Sequence, residues 1–158
     1  MGYIIRRAEE GDTDAVLALL GQVHAVHEEI RPDLFERGTR KYSAAQLKDI
    51  FADPDSPVFV CQREGKVLGY AFCRIMREQD PSRTAITTLY LDDLCVDEGA
   101  RGCGIGHKLL ARVEDFAAEC GAYNLTLHVY EGNDSAEKFY LSAGMGVQYL
   151  ALEKIIKR

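Results

Sequence analysis

The run CVDEGARGCGIGHKLL, from Cys95 to Leu110, constrains the fold more than any other stretch of this chain. An apolar segment enters it, an amphipathic segment leaves it, and Gly102, Gly104 and Gly106 occupy alternate positions between the two. The pattern predicts a strand, a glycine loop and a helix, in that order. Glycine at a helix start costs conformational entropy, and it is retained where a backbone must turn left-handed or come close to something. The first-turn amides of a helix have no intrahelical partner and carry the positive end of its dipole. With no Cβ atoms in the way, a phosphate can lie on those amides, and Arg101 can add a charge-assisted bond.

Two well-known phosphate loops do not fit. The pattern Gly, four residues, Gly-Lys-Ser/Thr fails because Lys108 follows His107 and precedes Leu109. The dinucleotide pattern Gly-x-Gly-x-x-Gly, started at Gly102, ends on His107. A nucleotide-binding protein of either kind is therefore set aside.

The remaining segments alternate between strand and helix patterns. YIIRRA reads as a first strand. Asp12 or Thr13 can cap a helix with Val16, Leu19, Leu20, Val23 and Ile30 at helical spacing, and Pro32 stops it. Ser43 and Gln46 form a capping box for a second helix with Leu47, Ile50 and Phe51. VFVCQ and VLGYAFCRIM form a hairpin across Arg63 to Lys66, and AITTLYLDDLCV is a longer strand. After the glycine loop, a helix runs to Gly121. NLTLHVY is a strand with His128 in it, SAEKFYLSA a short helix capped by Asn133 or Asp134, and VQYLALEKII a closing strand. The expected architecture is one mixed α/β domain on a single sheet, spanning residues 1–158.

Composition removes several classes. A formal net charge of -6 argues against a general nucleic-acid binder, which presents a basic face to phosphates. No apolar run is long enough to span a bilayer, and the N-terminal segment carries charge where a signal peptide needs an apolar stretch, so a cytoplasmic protein is expected. The five cysteines are odd in number and include no C-x-x-C pair, which speaks against disulfides and a cysteine zinc site. His24 and His27 lie i, i+3 on the first helix, but no third metal ligand is nearby, and no metal is expected.

Two motifs carry a family resemblance. Arg101, Gly104 and Gly106 spell Arg-x-x-Gly-x-Gly after LDDLCV, and NDSAEKFYLSAGM places Asn133, Ala136, Phe139, Tyr140 and Gly144 in a second signature. Together they resemble the GNAT family of N-acetyltransferases, with local similarity to polyamine acetyltransferases. The resemblance implies a mostly antiparallel mixed sheet flanked by helices and splayed between its fourth and fifth strands. It implies acetyl-coenzyme A as cosubstrate. The coenzyme's pyrophosphate would lie on the loop formed by Arg101, Gly102, Cys103, Gly104, Ile105, Gly106 and His107. Its pantetheine arm would follow Leu94, Cys95 and Val96, with Asn133 and Ala136 close by. The reaction implied is direct attack of a primary amine, small or peptidic, on the acetyl group. Tyr140 takes the role of the acid that protonates the leaving thiolate.

Asp92 and Asp93 are the candidate bases, because two carboxylates inside an apolar strand are unusual. Adjacent strand residues should face opposite sides. Many relatives carry Glu at the Asp92 position, and the shorter arm here favours a bridging water. Asp93, His27 and Glu28 are candidates for receiving the acceptor, and acidic residues such as Glu29 suit a cation. Cys95 reads as a structural residue, since no His pairs with it in the sequence. A non-catalytic acyl-coenzyme A binding or interaction domain on the same fold is the alternative. Such a domain has no need of Tyr140 or the aspartate pair, and this chain keeps both. The apolar C-terminal strand suggests a sheet edge through which a homodimer forms.

Overall fold

The computed structural model describes residues 2–157. These fall into two compact units, one up to His128 and one from Val129 onward. The first unit is built on a five-stranded sheet in the order β1-β2-β3-β4-β5. Its elements are β1 (Ile4–Arg7), α1 (Thr13–Ile30), α2 (Ala44–Ala52), β2 (Val58–Arg63), β3 (Lys66–Arg77), β4 (Thr87–Val96), α3 (Ile105–Glu119) and β5 (Asn124–Thr126). All neighbouring strands are antiparallel except β4 and β5, which are parallel.

Local sequence accounts for most of the boundaries. The β2–β3 hairpin turns on Glu64 (φ 52°) and Gly65 (φ 78°), a two-residue loop with positive φ at both positions that matches the twist of the strands. Ser43 accepts the Gln46 amide and Gln46 returns the bond to the Ser43 amide, so α2 opens on the capping box the sequence predicts. α1 ends at Ile30, two residues before Pro32. Asp12 behaves differently from expectation. Its carboxylate is buried and takes two bonds from Arg6 (2.7 and 2.9 Å) and one from the Glu9 amide (2.9 Å), so it ties β1 to the start of α1 and closes the capping box of the short turn before it, but its side chain does not cap α1. A buried carboxylate keeps its strongest partner, and a bidentate guanidinium outcompetes a helix amide.

Strand alternation sorts the core into two layers. Val58, Val60, Tyr70, Phe72 and Cys95 pack with Val16, Leu19, Leu20 and Leu47 on the α1/α2 side. On the α3 side, Phe59 meets Phe116 edge-on at 5.6 Å, and Leu109 and Val113 are fully buried. Gly69 lets α3 come close: a Cβ there would lie 2.9 Å from the Cys95 carbonyl and 3.1 Å from Leu109.

Two features of β4 position the site. Its ladder with β5 covers only Thr88 to Tyr90, so Leu91 to Val96 have no β5 partner and the sheet splays there, as the resemblance implies. Its register with β3 slips once: Leu91 pairs with Cys73 and Asp93 with Phe72, leaving Asp92 as the extra residue of a β-bulge.

The second unit contains α4 (Asp134–Ser142), capped by the Asn133 side chain and followed by Gly144 at φ 96°. The expected strand over NLTLHVY shrinks to three residues and leaves His128 outside it, its ring against Tyr90. The expected closing strand is not formed among the described residues. No strand is assigned over residues 145–157, because an apolar pattern alone does not make a strand. Val147, Tyr149, Leu150, Leu152 and Ile156 are each more than 60% exposed.

Candidate active site

The glycine loop forms the start of α3. Gly104 is the N-cap residue at φ 76°, and Gly102 stands at φ 79°. A Cβ at either glycine meets nothing within 4 Å, so protein crowding does not explain them. Positive φ is one reason for glycine at both, and the open space above them is available to a ligand. Gly106 and His107 lie in the first turn of α3, Ile105 beneath it is buried, and Cys103 is exposed. Arg101 donates from Nε to the Val96 carbonyl at 3.3 Å, which folds it back over the end of β4. The turn from β4 to α3 is clamped from α1: Gln22 donates to Asp97 (2.9 Å) and accepts the Glu98 amide (3.0 Å). An open loop of amides at the start of a 15-residue helix, beside an arginine, has the donor set that a pyrophosphate needs.

The aspartate pair sits on β4 before this loop. The bulge changes the expected geometry. Asp93 accepts a 2.6 Å bond from the buried Tyr70 hydroxyl, and Asp92 accepts Lys41 Nζ at 2.6 Å and the Tyr42 hydroxyl at 3.2 Å. Tyr42 stacks on Phe72 at 5.5 Å, and Phe72 meets Tyr70 edge-on at 4.9 Å. Both carboxylates thus reach partners tied to the α1/α2 face, where unbroken alternation would send them apart.

The two carboxyls have different environments. Removal from water pushes Asp93 up to about 6, although Tyr70 and Lys41 pull the other way. At Lys41 burial favours the neutral amine, but the hydrogen bond and charge of Asp92 outweigh it and hold the ammonium above its usual range. Burial also pushes the Tyr70 phenol well above its ordinary value, so it stays a donor. Cys95 lies under α1 with its thiol on the Leu19 carbonyl at 3.5 Å, and burial pushes it up to about 12, which suits a structural residue.

His27 and Glu28 hold the α1–α2 connection. The His27 ring packs on Phe35 at 5.1 Å, and burial lowers its basicity. Glu28 accepts the Gly38 amide at 2.7 Å and approaches His24 at 3.3 Å. His24 in turn contacts the Glu36 carbonyl (2.7 Å) and Thr39 (3.0 Å). These residues fasten the segment that delivers Lys41 and Tyr42 to Asp92. Among the described residues, no group of three or more His, Cys, Asp or Glu could hold a metal ion, and no helix is long and apolar enough to cross a membrane.

In the second unit, Asn133 Oδ1 accepts the Ala136 amide at 3.4 Å, and the Tyr140 ring meets Phe139 at 5.0 Å and 71°. Lys41, Tyr42, Tyr70 and Gln22 bond to Asp92, Asp93 and Asp97, contacts that the sequence does not announce. Each meets its partner across at least 23 positions of chain, and no local pattern announces such contacts.

Comparison with known proteins points to one family and fold. The profile described as Acetyltransferase (GNAT) family matches residues 23–145. A thialysine N-epsilon-acetyltransferase of Bos taurus is 28% identical over 151 residues, covering 89% of this chain and 82% of its own. The solved structure of a mutant BH1408 protein from Bacillus halodurans superposes with a TM-score of 0.92 at 30% identity, over 98% of this chain and 99% of that one. The fold also matches AAC(6')-Iy, solved with a bisubstrate analogue of coenzyme A, at a TM-score of 0.78 and 14% identity over the full length of both chains.

Proposed function

The chain belongs to the acetyltransferase (GNAT) family, and from that premise we propose that it moves the acetyl group of acetyl-coenzyme A to a small primary amine by direct attack, as one domain over residues 1–158. The observation that carries this reading is the run of β4. It presents Asp92 and Asp93, loses its β5 partner and continues into the glycine loop at the start of α3. Amine-binding carboxylates and a phosphate cradle therefore lie on one unbroken segment.

The coenzyme supplies an activated thioester carbonyl. The amides of residues 102–107 and the Arg101 guanidinium hold its pyrophosphate, and the backbone of Leu94, Cys95 and Val96 orients the pantetheine arm and the acetyl oxygen. The family resemblance of their signature assigns Asn133 and Ala136 to coenzyme binding as well. Asp92 receives the acceptor as an ammonium. Asp93 takes its proton, directly or through a water, since a carboxyl near 6 is suited to accept a proton at neutral pH. Tyr140 gives its phenolic proton to the departing thiolate. His27 and Glu28 shape the acceptor side through the connection they hold. The relative that acts on thialysine points to a lysine-like amine as the first acceptor to try. The segments 24–45 and 76–86 choose among acceptors. The five free cysteines suit a reducing compartment such as the cytoplasm.

The pH profile tests the assignment of the base. Asp93 accepts only when ionised, so kcat/KM rises with pH through about 6 and levels above it. Asp93→Asn removes that limb and lowers the plateau by about 10²-fold or more. A limb that survives in Asp93→Asn and vanishes in Asp92→Asn moves the base to Asp92.

The exposed apolar residues after Gly144, among them Leu150, Leu152 and Ile156, support a homodimer formed through that segment. Light scattering at micromolar concentration should give twice the chain mass, and the chain mass alone would end the idea.

A further inference from the structure

Asp92 is already occupied by a cation. Lys41 Nζ lies 2.6 Å from Asp92 Oδ2, and the carboxylate side chain is 11% exposed against 47% for the lysine. The chain on either side of Lys41 is fastened. Gly38 and Thr39 are bonded to Glu28 and His24 of α1, and Tyr42 is stacked on Phe72 and bonded to the same Asp92 oxygen. The half-exposed lysine arm is the movable part. Its ammonium can leave Asp92 while the connection stays in place.

An acceptor amine reaches a neutral-pH site mostly as its ammonium. On the reading of Asp92 given above, that ammonium seeks the oxygen Lys41 holds. We propose that Lys41 is a specificity-determining residue, a resident cation that an acceptor must displace from Asp92 and that returns when acetylation has made the acceptor neutral. Exchanging one ammonium for another on the same carboxylate changes little energy, so a cationic acceptor competes on equal terms. A neutral group does not, because it would leave Asp92 without a counter-charge. The same asymmetry works after transfer. The amide product has lost its charge, and Lys41 re-pairs with Asp92 as it leaves.

Lys41→Met keeps the apolar stem and removes the competitor. With thialysine as acceptor, KM should fall about fivefold, the worth of a partly exposed ion pair, while the Kd of acetyl-coenzyme A stays at the parental value. Lys41→Arg should restore the parental KM, which a purely structural role of the lysine stem would not predict. A KM that rises or does not change in Lys41→Met overturns the proposal, as does an Lys41→Arg enzyme that behaves like Lys41→Met. A second measurement does not depend on turnover. In the coenzyme-free protein, putrescine should shift the NMR signal of the Lys41 side-chain ammonium as it leaves Asp92, and should have no such effect in Asp92→Asn. No shift at saturating putrescine also overturns the proposal. If the parent transfers acetyl groups but Lys41 never moves, this inference alone fails. If no amine is acetylated, the reading of the site fails with it.

Discussion

Gly104→Glu should lose measurable affinity for acetyl-coenzyme A while the protein stays folded. The substitution puts a carboxylate into the open space above the first turn of α3, the seat proposed for the pyrophosphate. Repulsion between close like charges in a partly enclosed site is worth about 3 kcal/mol or more, a hundredfold in Kd. Gly104 also stands at φ 76°, so any side chain there adds backbone strain. Gly104→Gln separates the two effects, because glutamine brings the same size and backbone strain as glutamate without the charge. Calorimetric titration should find binding weakened in Gly104→Gln and abolished in Gly104→Glu, with similar melting temperatures for the two. Equal affinities in the two variants would mean that the loop does not hold the phosphates.

Tyr140→Phe should reduce kcat by about 10²–10⁴-fold, with little change in acceptor KM or coenzyme Kd. The substitution removes one oxygen and keeps the ring that meets Phe139 at 5.0 Å, so α4 retains its packing. A group that acts only as the thiolate departs contributes to the transition state and not to ground-state binding. An unchanged kcat in Tyr140→Phe would remove Tyr140 from the chemistry and leave it as half of an aromatic pair.

Much of this is legible in the chain itself, because it is written in short-range patterns. The glycine loop, the Ser43–Gln46 capping box, the positive-φ turn at Glu64-Gly65 and the Asn133 cap each depend on residues within a few positions of one another. The splay between β4 and β5 enters through the family resemblance, since nothing in the residues of β4 alone marks where its ladder stops. The bulge at Asp92 is invisible for a related reason. It exists only in the register between β4 and β3, and two neighbouring aspartates read the same with or without it. Lys41 is the clearest case of a hidden partner. It sits 51 positions from Asp92 in a polar stretch rich in charge, and only the folded connection selects it from Arg37 and Arg40 nearby. Asp12 and the C-terminal segment show the opposite failure. Their local patterns suggest a cap and a strand. Arg6 competes successfully for the one, and the other is not assigned as a strand among the described residues.

The two neighbouring carboxyls stand in different surroundings. Asp92 pairs with the half-exposed Lys41 ammonium, whereas Asp93 is drawn into the sheet by Tyr70 and ionises late. Separate environments for adjacent carboxyls are a common way to obtain two roles from one residue type.

Acetyl transfer to a cationic amine is read most directly as thiol release from acetyl-coenzyme A across a panel of lysine analogues, polyamines, amino acids, short peptides and aminoglycosides, with calorimetric titration of the coenzyme alongside. The coenzyme should bind without an acceptor, and thiol should appear only when a cationic primary amine is present and is acetylated in equal amount. Failure of the coenzyme to bind, or binding with no transfer to any amine in the panel, would contradict that reading.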